Sequence, residues 1–190
     1  MPGSPVAVDL DGVVVDMMSM MLPKLSELAG RAVIAEDIHV FDLGEALGLA
    51  DARLAELFEW LELERTYVCA PPVAGAVSVL RGLGPDRVRF ITSRLESLPS
   101  QTVEWLEGHG LGGYRLEMRR ETDPPGPKPI EAGKFYALVE DNCTHLASLA
   151  SRVQLVVLYD QPWNRAAPAL PNVVRARDWA EIGELLNRGS

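Results

Sequence analysis

Two aspartates separated by a single residue, Asp9 and Asp11, follow a short apolar segment and precede Gly12. A carboxylate can attack phosphorus as a nucleophile or move a proton as a general acid or base. Carboxylates also supply the oxygen ligands that Mg²⁺ prefers. In an extended segment, side chains two residues apart point to the same side, so both aspartates can face one ligand. The pair therefore indicates a site for phosphoryl transfer assisted by a metal ion.

Further polar groups occur where later apolar segments end. Thr92 and Ser93 close one such segment, Glu140 and Asp141 close another, and Lys128 precedes the second pair. An acid in such a place often only caps a turn or a helix. Several sets in this order are hard to explain by capping. Hydroxyl and N–H donors suit phosphoryl oxygens, and a lysine suits the charge of the transition state.

These residue types predict a two-step reaction. We expect Asp9 to attack a phosphate monoester and to form an aspartyl-phosphate, with Mg²⁺ reducing the repulsion between the two anions. We expect Asp11 to protonate the leaving oxygen and then to deprotonate the water that hydrolyses the intermediate.

The elements that must position these groups alternate along the chain. Short β-branched segments predict buried parallel strands, and segments of helical period separate them. The predicted strands cover residues 6–10, 88–92, 137–139, 153–158 and 173–174, and the predicted helices cover residues 74–83, 98–107, 144–150 and 179–186. The pattern is typical of an α/β fold, a parallel sheet with helices on both faces. Ligands bind beyond the carboxyl ends of such strands, where the polar residues stand.

Residues 17–70 interrupt this alternation, because they contain helical stretches and no convincing strand. The clearest helix begins near Asp51, a plausible N-cap. We predict a small helical cap, inserted after the first strand into a catalytic core formed by residues 1–16 and 71–190. A cap over the site would exclude water and select the leaving group.

Composition excludes several function classes. The 190 residues carry 27 acidic and 18 basic side chains, a net charge of −9 that disfavours long nucleic acids as partners. The sequence has no apolar run of about 18 residues and no secretory signal at its start, so we expect no membrane partner. Cys69 and Cys143 suit reduced thiols in the cytoplasm. The expected partner is a small phosphorylated substrate, and the expected state is a monomer or a homodimer.

Four short segments resemble the motifs of the haloacid dehalogenase (HAD) superfamily of phosphohydrolases. They are D-L-D-G-V at 9–13, T-S-R at 92–94, Lys128, and E-D-N at 140–142. The resemblance implies a HAD-like Rossmannoid core. Dehalogenase members of that superfamily lack the second aspartate of this form, so Asp11 favours phosphoryl transfer.

Residues 71–76, 159–165 and 177–179 narrow the resemblance to the 5′(3′)-deoxyribonucleotidase family and its bacterial relatives. It covers nearly the whole chain and implies a Mg²⁺-dependent phosphatase of nucleoside or deoxynucleoside monophosphates. The resemblance implies that Asp9 is the nucleophile and a metal ligand, and that Asp11 is the acid and base whose backbone carbonyl also binds the metal. It makes Asp141 the other carboxylate ligand, with Glu140 as the neighbour of these acids. The phosphate-binding residues that it implies are Thr92, Ser93 and Lys128.

Two details depart from the family pattern. Lys128 lies a little further from the acidic pair than the family lysine does, and Lys134 lies on the other side of that spacing. We favour Lys128 because Lys-Pro-Ile resembles the usual local sequence. Met17 and Glu96 occupy positions where characterised nucleotidases carry aromatic residues that stack on the base. Aromatic residues of the cap could replace them, and the candidates are Phe41, Phe58, Trp60 and Tyr67.

Other side chains remain open to two interpretations. Arg94 can contact a substrate anion or lie on the surface beside a helix, and Asn164 can contact the rim of the site or only shape a turn. With Met17 and Phe41, these two complete the candidate substrate contacts. Arg115, Arg119 and Arg120 predict a charged edge of the sheet.

Three other functions remain compatible with the residues. The same chemistry could act on a phosphorylated metabolite that is not a nucleotide, or could transfer the phosphoryl group to a second hydroxyl. The scaffold could also bind a ligand without turnover, since a fold does not fix a function.

Overall fold

A six-stranded, fully parallel sheet forms the centre of the molecule, which confirms the predicted α/β class. The computed structural model describes residues 4–95, 99–120, 122 and 126–188. The strand order is β3-β2-β1-β4-β5-β6. The strands are β1 (Val6–Val8), β2 (Val88–Leu95), β3 (Arg115–Arg119), β4 (Ala137–Glu140), β5 (Leu155–Tyr159) and β6 (Val173–Ala176).

The order of the strands reverses direction around β1, which pairs with β2 on one side and with β4 on the other. At such a switch point, the connections leave to opposite faces and open a crevice beyond the carboxyl ends of the strands. The loop after β1 carries Asp9 and Asp11 directly into this crevice.

Helices cover both faces of the sheet because successive residues of each strand point to opposite sides. Val6 and Val8 of β1 join a large core with Trp179, whereas Ala7 joins a second core with Leu146. The helices of the core are α5 (Ala76–Leu83), α6 (Pro99–Gly108), α7 (Leu146–Ala150) and α8 (Trp179–Asn187).

Between β1 and α5, the chain forms a series of helices joined by loops. Its elements are α1 (Met17–Ala29), a 3₁₀ turn at Ala35–Asp37, α2 (Leu43–Leu47), α3 (Asp51–Leu63) and α4 (Thr66–Cys69). The expectation that Asp51 caps α3 is wrong: Asp51 is the first helical residue, and Ala50 before it adopts extended backbone and makes no side-chain cap. The division into a cap at residues 17–70 and a core stays a prediction.

The two chain passages that lead into and out of this helical segment lie side by side. The N–H of Asp16 donates to the carbonyl of Pro71 at 2.9 Å, and the N–H of Val73 donates to the carbonyl of Val14 at 2.8 Å. Trp105 of α6 donates its indole N–H to the carbonyl of Ala70 at 2.7 Å. These bonds hold the two passages together and tie the second one to α6.

The basic residues of β3 lie where the sequence predicts. This strand is the edge of the sheet beyond β2, and Arg119 ends it. Within the described ranges, every helix is too short or too polar to cross a lipid bilayer.

Candidate active site

The carboxyl ends of β1 and β4 bring a buried cation between two buried acids. The ammonium Nζ of Lys128 lies 2.6 Å from Oδ2 of Asp9 and 2.7 Å from Oε2 of Glu140. Burial alone would lower the pKa of Lys128, but the two carboxylates raise it above its usual range, so the lysine stays charged. The cation therefore sits beside the carboxylate expected to attack phosphorus.

The geometry separates the two candidate lysines. Lys134 lies outside the site, where its Nζ pairs with Glu131 at 3.1 Å on the surface. Lys128 lies between β3 and β4 in the sequence, and its Nζ donates to Glu140, the last residue of β4. The structure thus brings Lys128 to Asp9 and leaves Lys134 on the surface.

Three carboxylates form a compact group at this edge. Asp9, Glu140 and Asp141 each offer an oxygen, and these oxygens all lie within 4.8 Å of one another. Burial, opposed by Lys128, raises the pKa of Asp9 from its ordinary value of 3.8 to about 8, and the charge of Glu140 contributes to the rise. Burial and the neighbouring Asp9 raise the pKa of Asp141 as well. Buried like charges of this kind are stabilised by a cation, so the donor set fits a divalent metal ion.

The oxygens of Glu140 already have partners within the protein. Its Oε1 accepts the backbone N–H groups of Asp141 and Asn142 at 3.2 Å and 3.1 Å, and its Oε2 accepts from Lys128. Burial would raise the pKa of Glu140, but Lys128 and these hydrogen bonds lower it, so the group stays ionised. Both oxygens of Glu140 are thus occupied, whereas the contacts described for Asp9 and Asp141 involve one oxygen of each, so these two are the better candidates to bind a cation, with Glu140 as their neighbour.

Asp141 is held in place by side chains from the loop after β5. The indole N–H of Trp163 donates to Oδ2 of Asp141 at 3.0 Å. The amide of Asn164 donates to the backbone carbonyls of Asp141 and Tyr159, each at 2.8 Å. Since Asn164 is completely buried, the expectation that it contacts substrate at the rim is wrong. Its role is to fix the backbone of Asp141, as the alternative of a turn-shaping residue implies.

The role of Trp163 was not predicted. It lies in the 159–165 segment that carries the family resemblance. Nothing in the local sequence, however, indicates that the indole of this residue binds a carboxylate. The tertiary contact alone shows that it orients a candidate metal ligand.

Gly12 is required by the close packing of this loop. Its φ of +77° is favourable for glycine, and a Cβ there would lie 2.2 Å from Oδ2 of Asp141. Gln161 donates its amide to the carbonyl of Gly12 at 2.7 Å. The glycine after the two aspartates thus lets β1 and β4 present their acids to one point.

Asp11 stands apart from the carboxylate group and is bound by Arg94. Nε of Arg94 donates to Oδ2 of Asp11 at 2.9 Å, and its Nη2 donates to Oδ1 at 2.6 Å. The Arg94 side chain is only 2% exposed, which rules out the interpretation of a surface arginine. The backbone N–H of Arg94 also donates to the hydroxyl oxygen of Thr92 at 3.2 Å, and this orients the Thr92 hydroxyl.

A cavity of about 700 Å³ joins these groups to the helical segment. Asp9, Asp11, Lys128, Thr92, Ser93 and Arg94 line its inner side, and Met17, Met18, Met21, Phe41, Phe58 and Tyr67 line its outer side. Two of the predicted substrate contacts, Met17 and Phe41, are thus in the wall. Trp60 is not among the residues that line it and packs against the large core instead. Glu96 lies outside the described residues.

A family model matches this chain over residues 4–189. Its description is 5′ nucleotidase, deoxy (pyrimidine), cytosolic type C protein. The match spans the whole sheet and the complete set of acids described above. A search of curated proteins found no match.

Solved structures with the same fold share little sequence with this chain. A haloacid dehalogenase-like protein of unknown function from Agrobacterium tumefaciens is 12% identical, with a TM-score of 0.68, and 98% of each chain is covered. A predicted phosphoglycolate phosphatase from Haemophilus somnus is 14% identical, with a TM-score of 0.63, over 97% of this chain and 98% of that one.

A third structure, of a protein from Bacillus subtilis described as a HAD-hydrolase, was determined with magnesium bound. It is 11% identical, with a TM-score of 0.59, over 98% of this chain and 100% of that one. At these identities, the likeness shows that the fold is shared.

Proposed function

This chain belongs to the 5′ nucleotidase, deoxy (pyrimidine), cytosolic type C family of phosphoric monoester hydrolases, and from that premise we propose that it is a Mg²⁺-dependent phosphatase of nucleoside or deoxynucleoside monophosphates that works through an aspartyl-phosphate. The observation that carries the proposal is the buried contact between Asp9 and Lys128 at the switch point of the sheet. A carboxylate and a fixed ammonium ion side by side suit attack on a phosphoryl group and neutralisation of its charge.

The first chemical step forms a bond between a carboxylate oxygen of Asp9 and phosphorus. The bond between phosphorus and the leaving oxygen breaks, and Asp11 gives its proton to that oxygen, which leaves as the free hydroxyl of the nucleoside. Lys128 and the donors of Thr92 and Ser93 hold the phosphoryl oxygens during this transfer.

The second step returns the protein to its starting state. Water attacks phosphorus while Asp11 takes up one of its protons, and the bond between phosphorus and Asp9 breaks. Inorganic phosphate then leaves. The sum of both steps is one ester and one water converted to one alcohol and one phosphate, so no other reactant is required.

Asp9 and Asp141, with the backbone carbonyl of Asp11, are the residues proposed to hold the metal ion. When bound, Mg²⁺ would supply positive charge that reduces the repulsion between the anionic nucleophile and the anionic phosphate. The need for such charge is visible in the described part of the site, where four acidic side chains, those of Asp9, Asp11, Glu140 and Asp141, lie together and the ion pairs made with them come from Lys128 and Arg94. Without a divalent cation, the site would repel a dianion.

The cavity wall supports a nucleoside as the leaving group. Phe41, Phe58 and Tyr67 line the cavity and offer aromatic surface for a base. We place the protein in the cytoplasm, where Cys69 and Cys143 would stay reduced.

Met17 favours a second candidate function. The resemblance implies an aromatic residue at this position, and Met17 lies in the cavity wall, where a flexible thioether adapts to many apolar shapes. The second candidate is therefore the same reaction on a phosphorylated metabolite that is not a nucleotide.

The test is phosphate release from a panel of esters in the presence of Mg²⁺. The panel contains ribonucleoside and deoxyribonucleoside 5′- and 3′-monophosphates and sugar phosphates, and the Asp9→Asn variant serves as the blank. Selective release from nucleotides is the expected result. Release only from other esters would contradict the proposed substrate and support the proposed mechanism. Release that is unchanged in Asp9→Asn would contradict the assignment of Asp9 as the nucleophile.

A further inference from the structure

We propose that Arg94 is a positioning residue for the reaction: its guanidinium fixes the carboxylate of Asp11 toward the leaving oxygen and ties it to helix α4 above the site. The inference rests on the proposed function, since it concerns the proton that Asp11 delivers. It is carried by a paired contact, two N–H groups of Arg94 on the two oxygens of Asp11 at 2.9 Å and 2.6 Å.

Asp11 depends on Arg94 for its orientation, because the side-chain bonds that its carboxylate makes within the described residues come from that guanidinium. Its side chain is 34% exposed, in a loop that ends β1 and at the side of the cavity. A carboxylate with one single hydrogen bond can still rotate about its bonds. A bidentate guanidinium fixes both the plane and the direction of the carboxylate.

Arg94 can impose this geometry because it is itself immobilised. Its Nη1 donates to the hydroxyl of Thr102 in α6 at 3.2 Å, and its guanidinium carbon lies 4.7 Å from the ring centre of Tyr67 in α4. The side chain is nearly inaccessible to solvent. One nitrogen of the guanidinium and one of its faces therefore have partners of their own. The two N–H groups that point to Asp11 accordingly have little freedom to move.

Tyr67 makes this arrangement a link between the helical segment and the acid. Its ring is in the cavity wall and covers Arg94, so the same side chain faces substrate and supports the group that holds Asp11. Ala70, the C-cap residue of α4, accepts the indole N–H of Trp105 in α6. The position of α4 is thus transmitted to Asp11 through two fixed side chains.

A purely electrostatic role is the competing explanation, because Arg94 also offsets one negative charge of the site. The two roles separate on substitution by lysine. Lysine keeps the charge but has no planar fork, so it cannot bind both oxygens in parallel. If charge alone matters, Arg94→Lys restores the activity that Arg94→Gln loses.

The decisive measurement is kcat/KM on two esters with the same enzyme sample. One is an alkyl phosphate from the panel that the wild type hydrolyses, whose leaving oxygen needs a proton. The other is dinitrophenyl phosphate, whose leaving group departs without one. Because kcat/KM reports the steps up to departure of the leaving group, the ratio of the two values measures proton delivery and is independent of the active fraction.

We expect Arg94→Lys and Arg94→Gln to lower kcat/KM for the alkyl ester by about 10²-fold, the order of effect that a misplaced catalytic group has. We expect kcat/KM for the dinitrophenyl ester to fall less than about threefold, since geometry at the proton donor is irrelevant to it. Thr102→Val removes one anchor of Arg94 at nearly constant volume and should change the same ratio in the same direction by a smaller factor.

Arg87→Lys is the matched control, because Arg87 is another buried arginine at the opposite end of β2 and donates to the carbonyls of Ser4 and Leu186. Its ratio should equal that of the wild type. Equal losses on both esters in Arg94→Lys, full rescue by lysine, or a gain on the alkyl ester would each overturn the inference. A wild-type protein that hydrolyses neither ester would instead contradict the proposed function.

Discussion

The inner and outer walls of the cavity are built in different ways. On the inner wall, Lys128 pairs with Asp9, and it also pairs with the buried Glu140, so each of these charged groups has a defined partner atom. On the outer wall, Phe41 and Phe58 are 46% and 52% exposed, and their side chains offer apolar surface to a ligand. The reaction requires catalytic atoms in fixed positions, whereas selection of a leaving group requires a cavity whose shape fits that group. We infer that the inner wall sets the reaction and the outer wall sets the substrate.

The largest expected effect is at Lys128 on the inner wall. Lys128→Met removes the cation that faces the nucleophile, and removal of one such group costs about 10²–10³-fold in kcat. It also leaves two buried carboxylates without their partner, so the midpoint of thermal unfolding should fall. Lys134→Met is the control, since its surface ion pair contributes little. Equal kinetic effects in the two variants would contradict the placement of Lys128.

Gly12→Ala tests whether the inner wall depends on close approach of its loops. A Cβ at residue 12 would overlap Oδ2 of Asp141, and the φ of +77° adds strain of about 1–2 kcal/mol. We expect Mg²⁺ affinity to fall about 10–100-fold, as it does when the support of a ligand is disturbed. Titration of activity with Mg²⁺ measures this. Gly30→Ala is the control, since it carries the same strain at a φ of +66° but has open space around its Cβ.

The outer wall is tested by Phe41→Ala and Phe58→Ala. We expect KM for the best aromatic substrate of the panel to rise about tenfold, because loss of one stacking contact costs about 1–3 kcal/mol. The kcat for a small alkyl phosphate should stay constant. Thermal stability should change little, since both rings are half exposed. A fall in kcat for every substrate would show that the two walls are not independent.

The smallest expected effect is the pH dependence of metal binding. The pKa of Asp9 in the metal-free protein is raised to about 8, chiefly by burial, so this group holds a proton at neutral pH. The folded state therefore binds a proton that the unfolded state releases, and the stability from this group is lost as pH rises from about 4 to 8. Mg²⁺ must displace that proton. The rise in unfolding temperature on addition of Mg²⁺ should accordingly be larger at pH 8 than at pH 6, and the reverse order would contradict the assignment.

Much of the inner wall could be predicted because it depends on local patterns. Parallel strands are buried on both faces, so Val6 to Val8 and the segment before Glu140 are visible as short apolar runs. The polar residue that follows each run must lie at the carboxyl edge of the sheet. Asp9, Thr92 and Glu140 could therefore be assigned to one place before their distances were known.

Contacts between distant segments could not be predicted in this way. Arg94 faces Asp11 across 83 positions of sequence, and Trp163 reaches Asp141 across 22. Neither pair has a spacing that a strand or a helix would fix. Asn164 has the residue type of a substrate contact, yet its surroundings are completely buried.

The sequence by itself determined which polar groups follow the strands, including the acids and the glycine after Asp11. It did so because hydrophobic period and residue type specify which groups reach the edge of a parallel sheet. The tertiary structure decided which lysine meets Asp9, which arginine holds Asp11, and which aromatic side chains face the cavity. Those outcomes depend on how loops of several elements pack together, and packing is a property of the whole chain rather than of any one segment.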